Sequence, residues 1–169
     1  FIGGGAVGMY LGAFMARAGH HVTIVDGWPE NVEKIRSDGI YVEPPSCDPP
    51  FRQQENLRVL HIHDLHQLRE HAEFDIGFVA VKSYDTKWAT ALIDLFVKPT
   101  EQGGYIVSAQ NGWPDDEVAA VVGKERTVGL VMSFFSVAAW EPGRVERGGL
   151  ETMRLKGYTT FRPGEHSPG

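Results

Sequence analysis

Apolar residues along this chain alternate between two spacings. Residues 7 to 18, VGMYLGAFMARA, put Val7, Leu11, Phe14, Met15 and Ala18 at helical intervals, and Gly19 follows as a C-terminal stop. His21-Val22-Thr23-Ile24-Val25 is short, β-branched and apolar, as a strand covered on both faces should be, and it ends on Asp26. Pro29 to Arg36 predicts a second helix, with Pro29 suited to the first turn, Glu30 at the positive end and Gly39 as its stop. Ile40-Tyr41-Val42 and Leu57-Arg58-Val59-Leu60 predict two extended pieces in a hairpin-like excursion. They flank Pro44-Pro45-Ser46-Cys47-Asp48-Pro49-Pro50, which cannot be helical.

Further on, Asp64 to His71 reads as a short helix, Phe74 to Val81 as a buried strand ending at Lys82, and residues 85 to 97 as a helix. Tyr105 to Ser108 predicts another strand, and Pro114 to Val122 a helix with a strongly acidic first turn. Thr127 to Ala139 is one long extended run, followed by a turn at Glu141-Pro142-Gly143-Arg144 and two more extended segments. Strands alternating with helices and then a β-rich tail predict an α/β fold: a doubly wound, mainly parallel Rossmann-type sheet with extra strands at the C-terminal end. Residues 1–169 are read as one domain.

Where the first strand turns into the first helix, the chain carries G-x-G-x-x-G as Gly3-Gly4-Gly5-Ala6-Val7-Gly8. Gly3 permits the tight turn, Gly5 leaves no side chain between backbone and a diphosphate, and Gly8 lets the helix pack close to the strand. The helix N-terminus then offers unpaired N–H groups to the anion. Asp26 stands where the fingerprint places its ribose-binding carboxylate. A tight turn alone would explain Gly8 and the strands, but not Gly3 and Gly5 together with Asp26. Phe1-Ile2 reads as the end of a longer strand, and the chain as a fragment or one domain of a larger protein.

Composition narrows the partners. With 169 residues, 42% of them hydrophobic, the chain can bury an ordinary globular core. A net charge of −6 with scattered basic residues argues against nucleic acid. No apolar run approaches the ~20 residues of a membrane helix. The single cysteine, Cys47, excludes an internal disulfide framework and suits a reducing cytoplasm.

Ligands of open parallel sheets bind beyond the carboxyl ends of the strands, which singles out Gly3 to Gly8, Asp26, Val81-Lys82-Ser83 and Gln110-Asn111-Gly112. Lys82 can reach a phosphate or ribose. The Asn111 amide, both donor and acceptor, can hold a ribose hydroxyl or a substrate oxygen. His61 and His63 alternate on a strand while His66 and His71 share no helix face, so no metal site is expected. Trp28, Trp88, Trp113 and Trp140 are expected in core or loop packing, with Trp28 close enough to Asp26 to line an adenine pocket.

GGGAVG at 3 to 8, VAVKSYDT at 79 to 86, SAQNGWPDDE at 108 to 117 and the final Phe161-Arg162-Pro163-Gly164-Glu165 together resemble the ketopantoate reductase (2-dehydropantoate 2-reductase) family over nearly the whole chain. The resemblance implies NAD(P)H-dependent reduction of a 2-keto acid, ketopantoate to pantoate or a close analogue, in pantothenate biosynthesis. It implies cofactor binding by Gly3, Gly4, Gly5, Ala6, Val7, Gly8, Lys82 and Asn111, with Asn111 also touching substrate. The proton donor of the family is a lysine in a following helical domain, through which members often dimerise. That domain is not in this chain, so no catalytic residue is expected here and the fragment should bind cofactor without turnover. Where NADPH-using members carry a basic residue, this sequence has Asp26, which favours NAD(H) over NADP(H), with Lys82 able to compensate. A related dehydrogenase of another small hydroxy or keto acid, or a non-catalytic dinucleotide sensor, are the alternatives.

Overall fold

The computed structural model describes residues 1–43, 48–70, 73–148 and 160–166; Cys47 and His71 lie outside them. The chain forms two compact units. The first holds Phe1, Gly3–Leu65 and Ser133–Thr160, the second Ile2, His66–Met132 and Phe161–Gly169.

In the first unit, helix α1 (Ala6–Arg17) leads into strand β1 (Val22–Asp26). Helix α2 (Pro29–Asp38) then leads through β2 (Ile40–Glu43) and β3 (Phe51–Gln53) to β4 (Leu57–His61). β1 and β4 pair in parallel from Val22 opposite Leu57 to Asp26 opposite His61. Phe1 and Gly3 bracket Val25: the Val25 N–H donates to the Phe1 carbonyl, and the Gly3 N–H to the Val25 carbonyl. α1 packs against β1 at Gly12, where a Cβ would lie 3.0 Å from Ile24 Cδ1. Met9 and Ala13 on the same helix are fully buried.

The β-rich tail supplies β8 (Ser136–Glu141) and β9 (Arg144–Gly148) to this unit. They complete a four-stranded sheet in the order β3-β2-β9-β8, with β2 and β9 parallel and the outer pairs antiparallel. The expected hairpin between residues 40–42 and 57–60 is therefore corrected: β2 turns back onto β3, and β4 joins β1. Phe51-Arg52-Gln53 is too short and polar to announce itself as a strand. Tyr10 of α1 meets Phe135 edge-on at 5.2 Å between ring centroids, and the Arg147 guanidinium lies 4.9 Å over the Phe135 ring.

The second unit is a four-stranded sheet of order β10-β7-β6-β5, made of β5 (Ile76–Val79), β6 (Tyr105–Ser108), β7 (Thr127–Ser133) and β10 (Thr160–Glu165). β5, β6 and β7 are parallel. Ile2 belongs here, its N–H donating to the Phe78 carbonyl and its carbonyl accepting from Ala80. Helices α3 (Thr86–Asp94) and α4 (Asp115–Val122) connect successive strands and pack on each other, with Ala89, Ile93 and Val118 buried. Parallel strands joined through helices are what the alternating pattern predicted.

Three local expectations differ. The helix expected over 64–71 is a 3-10 turn over Ile62–Gln67, because the Asp64 carboxylate accepts the His61 N–H at 3.3 Å and the Arg36 guanidinium at 2.7 Å, stopping the chain in a tight turn. His63 lies in that turn rather than alternating with His61 on a strand. The extended run over 127–139 is broken at Phe134, which adopts φ +51° and separates β7 from β8. The four tryptophans are not core: Trp28, Trp88, Trp113 and Trp140 are all exposed.

Candidate functional site

Gly3 and Gly5 give the turn the backbone form its sequence predicts, while the close approach of α1 to β1 is at Gly12. Gly3 takes φ +106°, closed to most side chains, and this swings the chain from the end of the Phe1-Ile2 segment into α1. Gly5 is the N-cap of α1 in extended conformation, and a Cβ built on it would meet nothing within 4 Å. No side chain caps the helix and its first turn carries no acid. The amides of Ala6, Val7 and Gly8 therefore keep the unmet donors of a helix start, beside the open space at Gly5.

Asp26 at the end of β1 lies against this turn. A Cβ on Gly4 would fall 2.6 Å from Asp26 Oδ2 and 2.9 Å from its Cβ and Cγ, so Gly4 is the residue that lets the carboxylate approach. The Gly27 N–H donates to Asp26 Oδ1 at 2.8 Å, and Asn31 Nδ2 donates to Asp26 Oδ2 at 2.6 Å and to the Gly4 carbonyl at 3.0 Å. Asn31 is fully buried on α2, on the face of Val32 and Ile35. Sequence reasoning missed it, although its i, i+4 relation to Ile35 marks that face as covered.

In the second unit, Lys82 follows β5 and opens a 3-10 turn over Ser83–Asp85, where its carbonyl accepts the Asp85 N–H. Its ammonium is exposed and has no partner among the described residues. Asn111, exposed just past β6, has a side-chain amide equally free among the described residues, and Gly112 turns the chain with φ +92°. What ties these two loops together is Gln110. Its Nε2 donates to the Val81 carbonyl at 2.9 Å and to Thr86 Oγ1 at 3.0 Å, while the buried Thr86 hydroxyl donates to the Ser83 carbonyl at 2.7 Å. Lys82 is thus flanked on both sides by carbonyls that the Asn111 loop holds in place. Among the described residues no group of three or more His, Cys, Asp or Glu side chains could hold a metal ion, and no helix is long and apolar enough to cross a membrane.

A family model for ketopantoate reductase PanE/ApbA matches residues 1–159. The chain belongs to this family. The ketopantoate reductase fold is seen in the solved 2-dehydropantoate 2-reductase of Geobacter metallireducens GS-15, which matches 99% of this chain and 49% of its own at 25% identity and a TM-score of 0.77. A PanE/ApbA family ketopantoate reductase from Ralstonia eutropha JMP134 matches 88% of this chain and 45% of its own at 27% identity and a TM-score of 0.69. Among curated proteins, the 2-dehydropantoate 2-reductase of Lactococcus lactis is 42% identical over 38 residues, 22% of this chain and 12% of that protein. This chain spans about half the length of the solved reductases it matches. Its fold is that of their Rossmann-like N-terminal domain, as the strand-end motifs led one to expect.

Proposed function

We propose that this chain is the cofactor-binding part of an NAD(P)H-dependent reductase of a small 2-keto acid, ketopantoate or a close analogue. The observation that carries the reading is the glycine turn of the first unit, open at Gly5 and backed by the Asp26 carboxylate at Gly4. Gly3, Gly4, Gly5, Ala6, Val7 and Gly8 would hold the diphosphate through backbone amides and the helix dipole. A bound nicotinamide supplies the hydride for the ketone carbon. Lys82 would add a cationic contact to ribose or phosphate. Asn111 would hold a ribose hydroxyl and the substrate oxygen, its free amide offering both donor and acceptor.

Asp26 supports NADH as the preferred cofactor. A carboxylate offers about four acceptor positions, and here Gly27 and Asn31 take one on each oxygen. One per oxygen remains for a pair of ribose hydroxyls. A 2′-phosphate would bring negative charge and no donor to the same place. The proton for the alkoxide would come from a lysine outside this chain, in a helical domain that also pairs the subunits, and the chain by itself would bind but not turn over. Calorimetric titration with NADH and NADPH at one ionic strength tests the reading. NADH binding more tightly is the expected result; a folded chain that binds neither nucleotide refutes it, and tighter NADPH refutes the role given to Asp26.

A further inference from the structure

Asn31 is a polar side chain with no exposed surface in the first unit, and each of its polar atoms is used. Its Oδ1 accepts the Gly143 N–H at 2.8 Å. A backbone N–H can only donate, so this contact settles which end of the amide is oxygen. The two Nδ2 hydrogens must then face the Gly4 carbonyl and Asp26 Oδ2, both of which can only accept. One amide therefore connects the glycine turn, the strand-end carboxylate and the β8–β9 turn.

We propose that Asn31 is the positioning residue for Asp26, holding its carboxylate in the one orientation that presents both remaining acceptor positions to a ribose diol, and that it thereby sets the preference for NADH over NADPH. The inference rests on the role given to Asp26 above. Without Asn31, the hydrogen bond left on the carboxylate among the described residues is from the N–H of the next residue, Gly27, which is exposed and moves with the same backbone. A carboxylate so released rotates toward water. NADH then loses its paired acceptors and a 2′-phosphate escapes part of the repulsion, so the two affinities converge from both sides. Asn31 touches neither nucleotide and acts only through Asp26 and the Gly4 carbonyl.

The test is the ratio of NADH to NADPH affinity, measured by calorimetry on the wild-type chain, Asn31→Asp, Asn31→Ser, Asp26→Ser and the Asp26→Ser/Asn31→Ser pair, with circular dichroism to establish folding. Asn31→Asp keeps the shape and the acceptor for Gly143 but removes the donor; Asn31→Ser removes the amide without adding charge and decides the matter should the buried aspartate not fold. The ratio should fall about tenfold in the folded Asn31 variants, and Asn31→Ser should change it no further once Asp26 is serine, the signature of two residues acting as one. Folded Asn31 variants that keep the wild-type ratio within about twofold, while Asp26→Ser loses it, overturn this proposal and leave the role of Asp26 standing. A wild-type chain without NADH preference, or an Asp26→Ser variant that retains it, overturns both.

Discussion

Adding one methyl group at Gly4 and, separately, at Gly5 should divide folding from binding within a single turn. In Gly4→Ala the new Cβ falls 2.6 to 2.9 Å from three atoms of Asp26, closer than any relaxed contact. Asp26 is short and rooted in β1, so relief requires moving the carboxylate off Asn31. That leaves a fully buried amide hydrogen unpaired, at about 1–3 kcal/mol. Residual overpacking adds about 1–3 kcal/mol. A loss of roughly 2–6 kcal/mol is a large part of the ~5–15 kcal/mol by which domains are stable. Gly5→Ala differs in every respect. The backbone at φ −72°, ψ −170° suits alanine and its Cβ meets nothing. The poorer N-cap, about 0.5–1 kcal/mol, is offset by about 0.4–1 kcal/mol of reduced freedom in the unfolded chain. Its urea midpoint should match wild type, while NADH affinity drops at least about tenfold, or 1.4 kcal/mol, because the methyl would stand in the open space proposed above for the diphosphate. Urea unfolding followed by circular dichroism reads the first quantity and calorimetry the second. A Gly4→Ala chain as stable as wild type, or a Gly5→Ala chain that binds NADH as wild type does, would refute the reasoning.

Gly104→Ala should be among the most damaging changes in the second unit. Its Cβ would lie 1.8 Å from the Lys98 carbonyl oxygen and 2.5 Å from the carbonyl carbon, and backbone cannot rotate out of the way. A loss of more than about 4 kcal/mol is expected, and an alanine variant with the wild-type urea midpoint would sink the assignment. Acid should weaken the first unit through Asp38 and Asp64. The hydrogen bonds from Lys34 and Ser37 hold the Asp38 carboxyl below its usual range, as the Arg36 guanidinium does first of all for Asp64. A carboxylate lowered on folding contributes stability that is complete above the unfolded value of about pH 3.9 and is lost as pH falls through the lower folded value. Urea midpoints between pH 2 and 6 should therefore fall less steeply in Asp64→Asn than in wild type, and parallel curves would show that the contact contributes nothing.

Much of the fold is legible because its signals are local. The helical spacing from Val7 to Ala18, the β-branched run at Val22 to Val25 and the Gly19 and Gly39 stops each act within a few residues, and α1, β1 and α2 form nearly where they are expected. The shape of the glycine turn was legible for the same reason, since Gly3, Gly5 and Asp26 act through backbone sterics and one strand end. What was not legible depends on distant partners. β3 is a strand because β2 pairs with it, not because Phe51-Arg52-Gln53 favours one. Phe134 turns the chain with a positive φ that no glycine, asparagine or proline signals there. Asn31 lies in a helix of charged residues, Glu30, Glu33, Lys34 and Arg36, which reads as a solvated surface. Only the burial of that face and a turn 112 residues away make it a structural amide. Gln110 looked like a companion of Asn111, yet its contacts run back to the loop around Lys82.

The sheet β3-β2-β9-β8 has a consequence for how the chain is made. β2 leaves the ribosome early, but its parallel partner β9 lies about a hundred residues later, with Val42 opposite Val145. At about 5–20 residues per second, the interval lasts roughly 5–20 s. Throughout it β2 presents an unpaired edge, able to recruit a strand from a neighbouring nascent chain. The whole of residues 66–132 is synthesised in that window and can fold on its own parallel pairings while the first unit waits. The last strands to reach this sheet are then those of the β8–β9 hairpin, which closes the open edge and delivers the Gly143 amide to Asn31. Translation stalled before residue 143 would leave a nascent chain with its glycine turn already made but its amide clasp unlatched.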